Sequence, residues 1–475
     1  MLVGVLNKGS LADVRALLER MDVSSYDALE LRLDTCSDFN LEELATIRFP
    51  LPVIFTLRAA CEGGQCRMEE SERLDLLEQL AEYAPAYLDV ESFVPVGFVA
   101  KLSAKHPDLS FVISRHDFEK TPEDLEAVLA EMATGRECNA GSGGKIIYKI
   151  ATFARSGLDS LRMLAFCKRV RDRGFSIVGI CMGPDGESTR ILAPVVHQGF
   201  CYCPVEESSA PGQIDSTVLR SLYNFRSLDA NTAIYGLLGD PVARSVGHIY
   251  HNERNIRAEE NAVYVKWRLR CEDIERAMPL LREIGVRGLS ITMPLKEEVT
   301  CHISCCDGVV TAIGAANTLV LRDDGWHGTN TDGQGALESF PDVNDKNVAV
   351  LGMGGAARSI MYELIRRRVA GLVVYNRTVR DVSFLQDVDV RPLNDACTMQ
   401  QADYDIIINA LPFSLTFPFN EIRFKPGSLA LDISYGGESP FLNAARSAGC
   451  IIFDGAAMFT GQARLQRSIW GCKLV

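Results

Sequence analysis

A lysine stands inside the apolar run IIYKIATF (146–153), and Lys149 is the first residue whose surroundings suggest chemistry. An ammonium is expensive to desolvate, so a lysine in a strand suited to a core needs a partner or a task. Charged residues close other short apolar runs as well: Glu30, Arg32 and Asp34; Arg58 and Glu62; Asp89 and Glu91; Arg115, His116 and Asp117. Met182 closes a further run. Gathered at one mouth, the three arginines and Lys149 would form a pocket for a carboxylate-bearing substrate. Desolvation and positive charge from Arg58 would both favour the neutral amine of Lys149. A neutral amine attacks a ketone to form an imine, and the protonated imine acidifies the neighbouring carbon. His116 suits the removal of that proton, after which a β-hydroxyl can leave as water. Glu62 is placed to orient the histidine or balance its charge. Taken singly, Lys149 is equally consistent with a strand-end lysine reaching solvent, and His116 with a satisfied core histidine.

The elements that must position these residues recur regularly. The runs are 2–6, 28–33, 52–57, 86–90, 110–114, 145–150, 175–180 and 199–203. Their spacing of roughly 25 to 35 residues leaves room for one helix each, as in βα units. TPEDLEAVLAEM (121–132) predicts one such helix, with Thr121 as its N-cap and Pro122 in its first turn. Eight units in the first half predict a (β/α)8 barrel, whose site lies at the C-terminal strand ends. The competing open sheet would need an early glycine-rich phosphate loop, and none precedes residue 140.

A different pattern starts at AIYGLLGDPVARS (233–245), after the polar stretch 226–232. NVAVLGMGGAARSIMYEL (347–364) reads as strand, glycine-rich turn and helix, which aims backbone N–H groups at phosphate. Gly352, Gly354 and Ala357 fit G-x-G-x-x-A, and Gly355 adds freedom to the turn. The next strand ends on Asn376, Arg377 and Thr378 in place of an acid. That suits the 2′-phosphate of NADP, although an exposed loop arginine would look the same. The turn 409–412, opening with Asn409, would close beneath the cofactor. Upstream, Lys296 and Asp332 form a possible acid–base pair, with Asn317, Thr292 and Thr331 as hydrogen-bonding groups for a polyol. Isolated, these residues would equally serve turns and caps.

The first half resembles type I 3-dehydroquinate dehydratase in ELRLD (30–34), TLRAACEGG (56–64), SRHDF (114–118), YKIA (148–151), MG (182–183) and SAPGQ (209–213). The resemblance implies a Schiff base on Lys149, proton transfer by His116 with Glu62 beside it, and substrate contacts from Glu30, Arg32, Arg58, Met182, Arg190, Ser209 and Gln213. The segment 135–145 is longer and richer in glycine than that family leads one to expect, and 197–203 matches it poorly. From 233 onward the chain resembles shikimate dehydrogenase. This implies Lys296 and Asp332 as the catalytic pair, with Ser245, Thr292, Asn317, Thr331, Tyr435 and Gln462 around the substrate. It also implies NADP(H) held by Gly352, Gly354, Gly355, Ala356, Asn376, Arg377, Thr378, Asn409, Gly455 and Met458, with no metal. One departure is ARSVGH (243–248), where Gly247 and His248 replace a serine and a proline. A carboxylate contact is therefore expected to be missing or supplied differently.

The expected fold is α/β. A (β/α)8 barrel (1–226) precedes a two-lobed unit resembling shikimate dehydrogenase. That unit has a substrate lobe (233–338, completed by a C-terminal helix at about 455–475) and a Rossmann NADP-binding lobe (339–454). The implied function is dehydration of 3-dehydroquinate followed by reduction of the product. The alternatives are a fused dehydrogenase acting on quinate, and a non-catalytic regulator built from such domains. A net charge of −13 without a basic block argues against nucleic acid as a partner. No apolar run reaches membrane-spanning length, and MLVGVLNKGS leaves no room for a signal segment. Scattered cysteines, 15 in all, lack zinc-site spacing and suit reduced thiols in the cytoplasm. The expected partners are thus small molecules, and the pattern sets no oligomeric state.

Overall fold

Parallel strands covered on both faces need near-continuous apolar runs, and the first half supplies eight of them. The computed structural model describes residues 1–37, 39–136, 144–208, 210–338, 340–378, 388–398, 404–412, 414–434 and 438–474. They form two compact units. Residues 1–234 lie in the first, 287–475 in the second, and 235–286 are divided between them. Most of the glycine-rich segment 135–145 falls outside the described residues. No described helix is long and apolar enough to cross a membrane.

In the first unit the strands are β1 (Leu2–Leu6), β2 (Ala28–Arg32), β3 (Val53–Thr56), β4 (Tyr87–Glu91), β5 (Ser110–Asp117), β6 (Ile146–Phe153), β7 (Ile177–Met182) and β8 (Cys201–Pro204). Their order is β7-β6-β5-β4-β3-β2-β1-β8, with every pairing parallel. The Gly199 N–H donates to the Ile177 carbonyl at 3.1 Å, so the two end strands approach and the barrel nearly closes. Because side chains alternate along a strand, one parity faces inward on each. Val3, Ala28, Ile54, Val112, Ile147, Val178 and Phe200 pack as an apolar floor. Two residues further along, the same parity presents Val5, Glu30, Thr56, Ser114, Lys149, Ile180 and Tyr202.

Two details depart from the expected elements. β5 continues to Asp117, so His116 belongs to a strand and its position is set by the pairing His116↔Ala151. The helix expected at 121–132 is Leu125–Ala133, capped by Asp124, whose Oδ1 accepts from Ala127 N–H at 2.8 Å. Thr121 does not cap it. Its hydroxyl is buried against Thr152 Oγ1 (2.8 Å) and the Phe153 carbonyl (3.2 Å), so it is not available to a helix.

Two further sheets follow. β9 (Ala233–Gly239), β10 (Ala262–Arg268), β11 (Val286–Ile291), β12 (Cys305–Cys306), β13 (Thr318–Arg322) and β14 (Gly325–Thr329) have the order β10-β9-β11-β13-β14-β12, with β13 antiparallel to both neighbours. β15 (Asn347–Leu351), β16 (Gly371–Asn376), β17 (Asp389–Pro392), β18 (Ile406–Asn409), β19 (Leu429–Asp432) and β20 (Ile451–Phe453) form a parallel sheet of order β17-β16-β15-β18-β19-β20. The direction of winding changes at β15, the place where such sheets open a crevice for nucleotides. The short polar strand β17 and the short strand β20 were not anticipated.

The C-terminal helix Gly455–Trp470 is anchored at its end by Trp470 Nε1, which donates to the Leu319 carbonyl at 2.9 Å. Buried Arg467 adds bonds to Asn255 Oδ1 (2.6 Å) and Glu260 Oε2 (2.8 Å). This helix crosses the helix Asp332–Leu337 so closely that a Cβ on Gly335 would lie 2.4 Å from the Gln462 nitrogen. Gly335→Val should therefore drive the two helices apart and destabilise the second unit by about 1–3 kcal/mol, read as a lower urea midpoint.

Candidate active sites

In the barrel, strand parity and the tilt of the sheet bring distant residues into one pocket. Its lining includes Glu30, Arg32, Arg58, Glu62, His116, Lys149, Met182, Arg190 and Gln213, all singled out in the sequence. Ser209 lies outside the described residues. Lys149 is 7% exposed. Its Nζ stands 3.4 Å from Asp89 Oδ2, 3.7 Å from Glu30 Oε1 and 4.2 Å from the centre of the Tyr202 ring. Carboxylates therefore face the amine directly, and Arg58 meets it through the shared Asp89. Arg58 donates to Ser114 Oγ (2.6 Å) and Asp89 Oδ1 (2.7 Å), and its Nη1 lies 3.3 Å from Glu91.

Asp89 thus bridges Arg58 and Lys149 while also accepting from Ser114 Oγ at 2.6 Å. Burial works against its charge, but the two cations outweigh it and hold the carboxyl below its ordinary range. Burial likewise opposes the Arg58 cation, and Asp89, Glu91 and Glu62 more than restore it. Glu91 is fixed in turn by Ala59 N–H (2.8 Å) and by buried Arg73 (2.8 Å).

His116 and Glu62 form a separate pair. Glu62 ends a short turn after β3, and its Oε2 receives the His116 backbone N–H (3.1 Å) and faces the ring Nδ1 (2.8 Å). Burial pushes the Glu62 carboxyl up from 4.5 to about 7, with Arg58 opposing and Glu91 and Asp89 adding to the rise. Burial, followed by the charges of Arg58, Lys149 and Arg32, lowers His116 well below its ordinary value. Both effects favour a neutral imidazole beside a carboxyl that titrates near neutrality, with Nε2 left for proton transfer.

The remaining arginines differ sharply. Arg32 is clamped by Asp34 through two bonds, at 2.9 and 2.8 Å. Arg190, on the short helix Glu187–Ile191, is 3% exposed, and its Nε has no hydrogen-bond partner among the described residues. Burial lowers its guanidinium, and no carboxylate pairs with it among the described residues to offset that. Sequence reasoning assigned no role to Asp89, Ser114 or Tyr202. Asp89 and Glu91 share the inward parity in YLDVE, and that alternation was the available signal.

In the second unit Lys296 Nζ and Asp332 Oδ2 are 2.6 Å apart. Asn317 holds the other carboxylate oxygen through Nδ2 at 2.8 Å, and the same amide reaches Thr331 Oγ1 (3.0 Å) and Gln462 Oε1 (3.1 Å). Gln466, unassigned in the sequence, supports this group by donating to Thr318 Oγ1 at 3.1 Å and accepting from Ser290 Oγ at 2.9 Å. It lies one helical turn beyond Gln462, and that spacing could have revealed it. Thr292 N–H donates to the Leu238 carbonyl at 2.9 Å. The Ser245 hydroxyl accepts from Gly247 N–H at 3.2 Å, just ahead of the helix Gly247–Arg257. Tyr435 lies outside the described residues.

The glycine-rich turn offers a phosphate site. Gly352 has φ +102°, and a Cβ there would approach the Ala410 carbonyl oxygen to 2.9 Å. The helix Gly355–Arg366 begins at Gly354 with no side chain capping it, and a Cβ on Gly354 would meet open space. The first N–H groups, Gly355 and Ala356 included, can therefore face an anion. Arg377 and Thr378 are exposed directly after β16, so this chain's residues fit a phosphorylated dinucleotide. Asn376 Nδ2 donates to the Thr378 carbonyl at 2.9 Å. Gly455 packs so tightly that a Cβ would lie 2.5 Å from the Ile433 carbonyl oxygen, and Met458 is buried in the adjoining core. The Asn409 amide is occupied, donating to Asp432 Oδ2 at 3.0 Å and accepting from Leu411 N–H at 3.3 Å.

Comparison with known proteins agrees with this division. Residues 5–230 match the family described as Type I 3-dehydroquinase, and 237–319 match the Shikimate dehydrogenase substrate binding domain. The chain is 32% identical over 456 residues to the shikimate biosynthesis protein AroDE of Chlamydia pneumoniae, covering 94% of this chain and 90% of that protein. It is 30% identical over 483 residues to the bifunctional 3-dehydroquinate dehydratase/shikimate dehydrogenase, chloroplastic, of Arabidopsis thaliana, covering 94% and 77%. The shikimate dehydrogenase (NADP(+)) of Caldanaerobacter subterraneus subsp. tengcongensis is 29% identical over 260 residues, 51% of this chain and 93% of that one.

Two outcomes follow from the barrel charges. Asp89→Asn leaves Arg58 and Lys149 without their shared counter-charge, and urea unfolding should show a loss of about 3 kcal/mol. Between pH 4.5 and about 7 the folded chain retains a proton at Glu62 that the unfolded chain has released. Glu62 should therefore contribute a fall in stability as pH rises through that window, by up to about 3 kcal/mol, while His116, held neutral by the fold, contributes in the opposite sense below 6.5. Glu62→Gln should remove this component of the slope in the same titration.

Proposed function

The chain belongs to the family of bifunctional 3-dehydroquinate dehydratase/shikimate dehydrogenases, and from that membership we propose how its residues divide the work. It catalyses two consecutive steps of the shikimate pathway: 3-dehydroquinate loses water to give 3-dehydroshikimate, which is then reduced to shikimate. The observation that carries the residue assignment is one barrel pocket holding an enclosed lysine, a paired histidine and glutamate, and a buried arginine with no carboxylate against it among the described residues.

In the first step Arg190 takes the substrate carboxylate, which supplies the missing negative charge. Lys149 attacks the ketone and becomes the imine nitrogen. His116, held through Nδ1 by Glu62, removes the proton beside the imine carbon through Nε2 and returns it to the departing hydroxyl. Asp89 and Glu30 hold the charged nitrogen in place while the bonds change. Arg32, Arg58, Met182, Ser209 and Gln213 shape the pocket around the ring. Water then releases the product and restores Lys149.

In the second step Lys296 delivers a proton to the carbonyl oxygen, and Asp332 fixes its orientation and charge. Asn317, Thr292, Thr331, Gln462, Ser245 and Tyr435 surround the polyol. NADPH is the cofactor that supplies the hydride when bound. Gly352, Gly354, Gly355 and Ala356 would hold its diphosphate, Asn376, Arg377 and Thr378 its 2′-phosphate, and Asn409, Gly455 and Met458 the nicotinamide end. The proposed domains are 1–226, 233–338 with the C-terminal helix, and 339–454.

Borohydride added during turnover of 3-dehydroquinate should leave a stable adduct on Lys149, located by peptide mass mapping. Turnover without that adduct, or with one elsewhere, would sink the assignment. Lys296→Ala should lower NADPH-dependent reduction at least about 100-fold while dehydration persists. Loss of both activities together would count against independent sites.

A further inference from the structure

The barrel interior holds a hydroxyl that the roles above leave unused. Tyr202 in β8 is 3% exposed and lines the dehydratase pocket. The face of its ring lies 4.2 Å from Lys149 Nζ, and Val5, Ile180 and Phe200 belong to the same apolar cluster. Its Oη is enclosed, yet it has no hydrogen-bond partner among the described residues. A buried, unpaired hydroxyl destabilises a fold, and phenylalanine would fill the same space without that cost. A local rule broken beside a nucleophile points to a partner that arrives with the substrate.

We propose that Tyr202 Oη donates a hydrogen bond to the oxygen of the carbinolamine formed on Lys149, making Tyr202 a further catalytic residue of the dehydration. The inference rests on the imine assignment of Lys149 given above. In the first step the C–N bond forms, the carbonyl π electrons move to oxygen, and one proton passes from nitrogen to that oxygen through His116. In the second the C–O bond breaks with its electrons, and oxygen leaves as water with one further proton drawn from solvent by way of His116. The nitrogen lone pair then closes the C=N bond. Tyr202 keeps its own proton throughout, because burial and then the charges of Glu30 and Asp89 hold the phenol neutral. A fixed neutral donor is suited to the negative charge that gathers on oxygen during attack.

Tyr202→Phe removes the hydroxyl alone. Single-turnover mixing with 3-dehydroquinate, quenched by borohydride and read as the mass of the Lys149 adduct, should show imine formation slowed roughly 10- to 100-fold. The later elimination rate should be unchanged, and Tm should be equal to wild type or raised by a few degrees. An adduct forming at the wild-type rate would overturn the proposal. So would a slower rate accompanied by a lower Tm, which would mark a purely structural role. If the wild-type enzyme gives no adduct on Lys149, the imine assignment falls and takes this inference with it, an outcome distinct from failure of the variant alone.

Discussion

The Asp89 carboxylate, enclosed between Arg58, Ser114 and Lys149, is the interaction on which the barrel site depends. Two buried cations on one buried carboxylate are tolerable only because Asp89 serves both. The requirement spreads outward: Arg58 also needs Glu91, and Glu91 needs Arg73 and the Ala59 N–H. The links run between neighbouring strands, from β4 to the end of β3 and to β5, and outward to a helix through Arg73. With Arg58 committed to that network, Arg190 is the pocket arginine that no carboxylate pairs with among the described residues.

The second unit meets the same requirement with neutral groups. Asp332 carries one ion pair, to Lys296, and its other oxygen is held by the Asn317 amide. Asn317 and Gln466 then tie Thr318, Thr331 and Gln462 into a network that spans β13, a short helix and the C-terminal helix. Close packing makes that reach possible, since Gly335 and Gly461 let the two helix backbones approach until side chains cannot fit between them. The orientation of a proton donor therefore rests on two residues that have no side chain.

Much of this was legible in the residue order. Strand-sized apolar runs at helix-sized intervals announced the barrel, and inward parity explains why Glu30, Lys149 and Met182 meet. The glycine-rich turn announced the nucleotide sheet. The limits are equally specific. Thr121 looked like a cap and is instead bonded across to Thr152, because local capping preference yields to a buried tertiary partner. Asn409 closes its strand as the run of residues indicates, but its bond to Asp432 comes from the parallel pairing of β18 and β19, which sets those residues side by side. The carboxylates of Asp89 and Glu30 stand against the Lys149 amine, a meeting that the spacing along the chain does not show.

By itself, then, the sequence determined which chemical groups exist, the parity that sends them inward, and the strand–turn–helix signal of the nucleotide lobe. These properties are local, set by neighbours along the chain. Only the tertiary structure decided which charge meets which. Asp89 and Lys149 are sixty residues apart, as are many of the pairs that matter, and strand tilt and barrel closure bring them together. Periodicity carries no record of those meetings, and the cost of burying unpaired charge ensures that they, more than composition, set the chemistry of each site.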